Sequence, residues 1–199
     1  MNLPLLKESI EGIDIYLLDQ ILKSRYQTNE KILDVGCGTG RNLKWFYLNN
    51  YKIYGIDLNS EYIEFCKNRY PKRKDYFKQA LVNSIPYLDN SFKHIVCNAV
   101  LHFAKDLTEY LKMFYEMLRI LEPGGSLFIR MASEFGIEHM IKHLGDGNYL
   151  LPDNSTRFLL TSELLTELKN NNNIIFLEDV KTTIVENKRS MTTIVLQKK

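Results

Sequence analysis

No stretch of this sequence approaches the ~20 consecutive apolar residues that span a bilayer. Residues 1–14, MNLPLLKESIEGID, carry an early Lys7 and Glu8 where a secretory leader has a continuous apolar core. Neither a membrane span nor a leader is expected. Cysteine is scarce: Cys37, Cys66 and Cys97 are odd in number, far apart, and form no Cys-x-x-Cys pair. That argues against a disulfide framework or a zinc site and for free thiols in a reducing, cytoplasmic setting. An excess of one charge is also missing. Lys and Arg number 26 against 24 Asp and Glu, a net charge of +2. This is too little for a surface built to grip nucleic acid, so no DNA partner is expected. Internal repeats and low-complexity linkers are absent.

What remains is an ordinary globular balance, 45% hydrophobic and 25% charged over 199 residues. That length suits one domain with a sizeable core. Residues 10–25 have apolar positions at helical spacing (Ile13, Leu17, Ile21 with Leu18 and Leu22). Strands are expected at 31–35, 52–56, 75–81, 91–97 and 126–131. The intervening helices are expected at 42–48, at 60–69 with Ser60 as cap and Pro71 as stop, and at 107–121, ending in Glu122-Pro-Gly-Gly125. Alternation of this kind gives parallel strands with helices on both faces. After a helix at 161–170, two β-rich runs, 174–185 and 191–197, are joined only by Glu186-Asn-Lys-Arg189. So short a link makes an antiparallel hairpin, with one reversed strand near the sheet edge.

Asp34-Val-Gly-Cys-Gly-Thr-Gly40 is the most informative segment. It follows a strand and opens a helix. Glycines there turn the chain tightly and let a ligand approach the backbone, while the helix start offers N–H groups. Asp57 ends the next strand, where a carboxylate accepts from ribose hydroxyls.

Ile32-Leu-Asp-Val-Gly-Cys-Gly-Thr-Gly40 followed by Tyr54-Gly-Ile-Asp-Leu-Asn59 resembles the first two motifs of the class I S-adenosylmethionine-dependent methyltransferases. SIPYLDNSFKHIVCNAVLHF and LRILEPGGSLFIR are similar to that family's fourth- and fifth-strand signatures. The resemblance covers roughly residues 31–130. It implies an α/β fold with a Rossmann-like, seven-stranded, mostly parallel sheet. It also implies S-adenosylmethionine as cofactor and transfer of its methyl group to a small molecule. Carried over by position, Gly36, Cys37, Gly38 and Gly40 are expected around the methionine portion and ribose, with Asp34 near the amino group. Asp57 is expected on the ribose and Leu58 on the adenine, with Asn98 and Ala99 at the sulfonium end. Relatives place an acid before the Leu-Pro-Phe that corresponds to Ile85-Pro86-Tyr87, and it accepts from the adenine amino group. Leu81 stands there in this chain. Asn83 and the backbone of Val82 are the nearest substitutes.

A sulfonium methyl is already activated, so positioning and exclusion of water matter more than acid–base groups. His102, after the fourth strand, is the one candidate base. His139 and His143 stand i, i+4 in an expected helix. Without a third ligand they read as surface residues, and no metal is expected. Residues 132–160 are long for a link after a fifth strand. With the N-terminal residues 1–30 they are expected to cover the acceptor above a 31–131 cofactor-binding core, and residues 161–199 close the fold. Tyr16, Arg130, Glu134, Tyr149 and Arg157 are the polar candidates for the substrate lining.

Three other functions fit less well. A nicotinamide reductase wants Gly-x-Gly-x-x-Gly, and the Tyr70–Lys74 pair that mimics a reductase dyad contains Pro71. A base-amino methyltransferase wants Pro-Pro-Tyr after Asn98, where Ala-Val-Leu stands. RNA or protein acceptors stay open. The intact glycine loop and Asp57 argue against a non-catalytic binding protein that keeps the cofactor fold.

Overall fold

The computed structural model describes residues 3–199. Two short helices, α1 (Leu3–Ile10) and α2 (Ile15–Leu22), precede β1 (Lys31–Val35). A 3-10 turn leads into α3 (Lys44–Leu48), then β2 (Lys52–Asp57), α4 (Ser60–Arg69) and β3 (Phe77–Gln79). β4 (Phe92–Asn98), a 3-10 turn at Leu101–Phe103, α5 (Leu107–Ile120) and β5 (Leu121–Ala132) follow. Then come β6 (Lys142–Gly145), β7 (Asn148–Leu150), β8 (Thr156–Phe158) and α6 (Ser162–Lys169). β9 (Ile174–Phe176), β10 (Lys181–Val185) and β11 (Arg189–Lys198) close the chain.

The main sheet runs β10-β11-β5-β4-β1-β2-β3, with β9 also paired to β11. β1 to β5 pair in parallel, and β11 is antiparallel to β5, β9 and β10. This is the expected mostly parallel sheet with one reversed strand near the edge. It has eight strands, not seven, because residues 174–185 break into β9 and β10 against one long β11. β6, β7 and β8 form a separate three-stranded antiparallel sheet.

Alternation along each central strand divides the core. Leu33, Val35, Ile95, Cys97, Leu127 and Ile129 pack under α5 and α6. Ile32, Ile53, Val96, Phe128 and Val195 pack under α2, α3 and α4. Tyr110, Phe114 and Met117 make a buried stripe on α5, three or four residues apart. Each such side chain contributes roughly 1.5–3 kcal/mol on burial. Asp106 caps α5 by accepting from Glu109 N, and Thr161 caps α6.

Four local expectations differ. The helix expected over 10–25 is confined to α2, because α1 has ended at Ile10, Gly12 adopts φ +77°, and Asp14 starts α2 by accepting from Tyr16 N and Leu17 N. Asn59, not Ser60, caps α4. The third strand is only Phe77–Gln79, since Pro71 opens a 3-10 turn that occupies residues 71–76. His139 and His143 share no helix: His139 lies in a 3-10 turn and His143 on β6, where its ring packs 4.9 Å from that of Tyr149.

Candidate functional site

The chain runs outward through β1, β2 and β3, then crosses back to β4 on the other side of β1. The sheet order therefore reverses between β1 and β4, and the loops after these strands diverge. Ligands of open α/β sheets bind in that crevice. A cavity of about 460 Å³ lies there, lined by Gly36, Gly38, Asp57, Leu58, Tyr62, Ala80, Leu81, Val82, Asn83, Ala99, Val100, Phe103, Glu109 and Met113. Its volume is in the range of small-molecule sites. Leu58, Tyr62, Leu81 and Phe103 are among the exposed large apolar side chains of the protein, and all four face this one space.

Backbone bonds shape the glycine loop. Gly36 N and Cys37 N both donate to Ile56 O, at 2.8 and 2.9 Å. Gly38 N donates to Asp57 Oδ2 at 2.8 Å, and Asn59 N to Asp57 Oδ1 at 2.9 Å. Asp57 thus clamps the loop to the start of α4 while keeping an edge on the cavity. A Cβ on Gly38 would meet nothing within 4 Å, so its backbone borders open space. Gly40 is different. It has φ +73°, and a Cβ there would lie 2.7 Å from the buried Tyr70 ring, whose hydroxyl donates to Gly40 O. Gly40 and the buried Cys37 side chain are packing positions off the cavity wall.

Asp34 is buried one residue before the end of β1, and its Oδ2 has no partner. Burial pushes its pKa up to about 7, helped by the Asp57 charge and opposed by Arg41. Ala99 takes a left-handed φ of 62°, and its N–H donates to Arg130 O at 2.7 Å. Backbone held this way is strained and needs support from its surroundings.

His102 is buried beside Phe103, and its Nδ1 accepts from Ala132 N at 3.2 Å. Burial, with Arg157 and Arg189 nearby, holds its pKa down to about 4. The ring is then neutral with its proton on Nε2. Its one lone pair is occupied, so His102 sits as a donor and not as the expected base.

Asn98 on β4, Arg130 on β5 and Thr193 on β11 are direct register neighbours, so their side chains share one face. Asn98 Oδ1 and Nδ2, Arg130 Nε and Thr193 Oγ1 are all buried without partners. Arg130 stacks on the Tyr16 ring at 5.2 Å and faces Asp14 at 3.6 Å. The Tyr16 hydroxyl bonds Thr183. Tyr16 and Arg130 are therefore together. The other three expected lining residues are elsewhere. Glu134 accepts from Ser162 N at 2.7 Å, at the start of α6. Tyr149 lies on β7 beside His143. Arg157 on β8 stacks over Phe103 at 5.0 Å, and next to it Phe158 stacks on Tyr110. Residues 132–160 thus border the cavity rim through Phe103. The N-terminal segment instead holds the far side of the glycine loop, through Arg41 to Gly12 O and Asp14 N to Asn42. No hydrogen bond or ion pair joins the two segments among the described residues; both reach the β10–β11 hairpin, at Thr183 and Ile184.

Sequence reasoning missed Tyr62, Ala80, Val100, Phe103, Met113 and Glu109 of the cavity lining, and of these Glu109 alone is charged. It accepts from Lys105 N at 2.9 Å and from Asn83 Nδ2 at 3.4 Å. It was unremarkable as one of several acids in an amphipathic helix.

A methyltransferase-domain family model matches residues 33–129. Among related proteins, thiol S-methyltransferase TMT1B of Rattus norvegicus is 28% identical over 151 residues, covering 67% of this chain and 60% of the rat protein. Thiol S-methyltransferase TMT1A of Homo sapiens is 30% identical over 123 residues, 59% of this chain and 46% of that protein. A probable tRNA methyltransferase 9B of Homo sapiens is 29% identical and has 27% of its length matched. The chain thus spans about half the length, or less, of several relatives it matches. A S-adenosylmethionine-dependent methyltransferase structure from Methanosarcina mazei superimposes with a TM-score of 0.73 at 24% identity, covering 89% of this chain and 96% of that one. One from Clostridium acetobutylicum gives 0.70 at 12% identity, covering 94% and 92%.

Proposed function

We propose that this chain, which belongs to the class I S-adenosylmethionine-dependent methyltransferase superfamily, transfers the methyl group of that cofactor to a small molecule. The observation that carries the reading is the cavity at the β1/β4 switch point. It combines an open glycine backbone at Gly38, a carboxylate at Asp57 and four exposed apolar side chains. These residues fit a nucleoside: a carboxylate for ribose hydroxyls, and Leu58, Tyr62 and Leu81 for the faces of a base. The unpartnered Oδ2 of Asp34, near the end of β1 where the loops after β1 and β4 diverge, fits an amino-acid portion.

When bound, the cofactor supplies an electrophilic methyl on a sulfonium. The chain's task is then to hold the partners in line and keep water out. Gly36 and Gly38 give the backbone surface, and Asp57 holds the loop and the ribose together. The row of Asn98, Arg130 and Thr193, roofed by Tyr16, is the acceptor side. Arg157 over Phe103 puts residues 132–160 at the rim, where they shape the entrance. A small acceptor is favoured by the thiol S-methyltransferase names of two relatives and by the near-neutral charge. Three buried free cysteines fit a reducing, cytoplasmic compartment. No helix among the described residues is long and apolar enough to cross a membrane.

Calorimetry with S-adenosylhomocysteine should show micromolar binding, a ~8 kcal/mol interaction. Label transfer from S-adenosylmethionine should then appear on a panel of small thiols and not on bulk tRNA. Binding of NAD in place of S-adenosylhomocysteine would refute the cofactor reading. Transfer to tRNA alone would refute the small acceptor.

A further inference from the structure

We propose that Glu109, reaching over from α5, takes the place of the acid missing at Leu81 and accepts from the exocyclic amino group of the cofactor's adenine. The proposal deepens the cofactor reading and rests on it. Leu81, Val82, Asn83 and Glu109 line the same cavity as Asp57 and Leu58. Leu81 is apolar and half exposed, so it offers the base a surface and no acceptor. An adenine that buries its amino group there without an acceptor loses that group's hydrogen bonds to water.

Glu109 is built to stand in. It is half-buried, at the first turn of α5, and Lys105 N holds its Oε2 at 2.9 Å. Asn83 Nδ2, from the loop that follows β3, reaches its Oε1 at 3.4 Å. A carboxylate offers about four lone-pair sites, and these two donors leave the rest free. Asn83 is thereby turned so that its amide donates toward Glu109, which makes it a positioning residue and Glu109 the acceptor. A role limited to the helix start would need only the bond to Lys105 N. It would not need the carboxylate to share a wall with Leu58 and Val82.

The test uses the intact protein and two nucleoside probes that differ at one position. S-adenosylhomocysteine carries the amino group, and S-inosylhomocysteine carries a carbonyl oxygen in its place, which a carboxylate repels. By calorimetry the wild-type protein should favour the adenosyl probe by about tenfold or more. Glu109→Gln keeps an oxygen for Lys105 N and adds an amide donor, so it should cut that preference at least about fivefold. In Glu109→Ala, adding Leu81→Asp should bring the preference back from a different element of the pocket lining, which loss of a helix cap cannot explain. Unfolding temperatures of each variant check the fold. An unchanged preference in Glu109→Gln, or an equal loss of both probes, overturns the assignment. Tight binding of the adenosyl probe without discrimination in the wild type sinks Glu109 alone. Failure of both probes, with NAD bound instead, sinks the cofactor reading and this inference with it.

Discussion

Gly38, on the loop after β1, and Asp57, the last residue of β2, are tied by a single bond: the Gly38 N–H donates to Asp57 Oδ2 at 2.8 Å. The second oxygen of the same carboxylate accepts from Asn59 N. One side chain therefore fixes both the curvature of the glycine loop and the start of α4, and it still faces the cavity. Asp57→Ala should weaken S-adenosylhomocysteine by roughly 1–3 kcal/mol, from loss of a charged acceptor and a slacker loop. Asp57→Asn, which keeps one oxygen, should fall between. Affinity equal to wild type in Asp57→Ala would reduce the residue to a cap for α4.

The loop glycines separate by what surrounds them. Gly40→Ala would set a methyl 2.7 Å from the Tyr70 ring at φ +73°. It should destabilise by roughly 1–3 kcal/mol, lowering the melting temperature by about 2–4 °C per kcal/mol for a chain of this size. Gly38→Ala meets open space. Beyond ~1 kcal/mol for its left-handed backbone, its cost should appear in cofactor affinity. Melting curves with and without S-adenosylhomocysteine distinguish the two. Equal melting temperatures for both variants would contradict the placement of Gly40.

His102 gives a pH dependence whose sign can be worked out. Its folded pKa, about 4, is below the ordinary value of 6.5. The unfolded chain therefore binds the proton first as pH falls. The stability His102 contributes is complete above pH 6.5 and is lost as pH falls from there toward 4. The loss is bounded at about 3 kcal/mol, since a tenfold difference in proton affinity is worth about 1.4 kcal/mol. His102→Asn should flatten the stability profile across that window in urea titrations. Ring nitrogen NMR shifts should show a neutral ring, protonated at Nε2, down to pH 5. Titration of His102 near pH 6.5 in the folded protein would restore it as a candidate base.

The parts of the fold visible in the sequence are those written in short local patterns. The loop 34–40 and Asp57 were legible because strand, turn, helix start and acid follow within two dozen residues. The reversed edge strand was legible because four linking residues cannot hold a crossover. The parts that stayed hidden depend on distant neighbours. His139 and His143 have helical spacing, yet pairing with β7 draws the second of them into a strand. Asp14 caps α2 only, four residues beyond the end of α1, and its own N–H is held by Asn42 from 28 positions away. Glu109 has no local signature at all: only the packing of α5 beside Asn83, 26 residues earlier, turns it toward the cavity.

The acceptor side yields the last prediction. Asn98, Arg130 and Thr193 sit side by side across β4, β5 and β11, with four buried polar atoms left without partners. Leaving such atoms unpaired costs about 1–3 kcal/mol each, so a polar acceptor or ordered water has reason to enter here. Arg130 is held in place by the Tyr16 ring and by a loose pairing with Asp14, whose carboxylate oxygen is 3.6 Å away. Its guanidinium therefore keeps donors to spend. Arg130→Met keeps most of the volume and removes them. The expected result is S-adenosylhomocysteine affinity within about twofold of wild type and kcat/KM for the acceptor down by roughly 10–100-fold, or 1.4–2.7 kcal/mol. Tyr16→Phe removes only the hydroxyl bonded to Thr183 and should cost less, because the ring still supports the guanidinium. If Arg130→Met loses cofactor and acceptor binding in equal measure, the row is part of the cofactor site, and the acceptor must enter on the Phe103 side beneath Arg157.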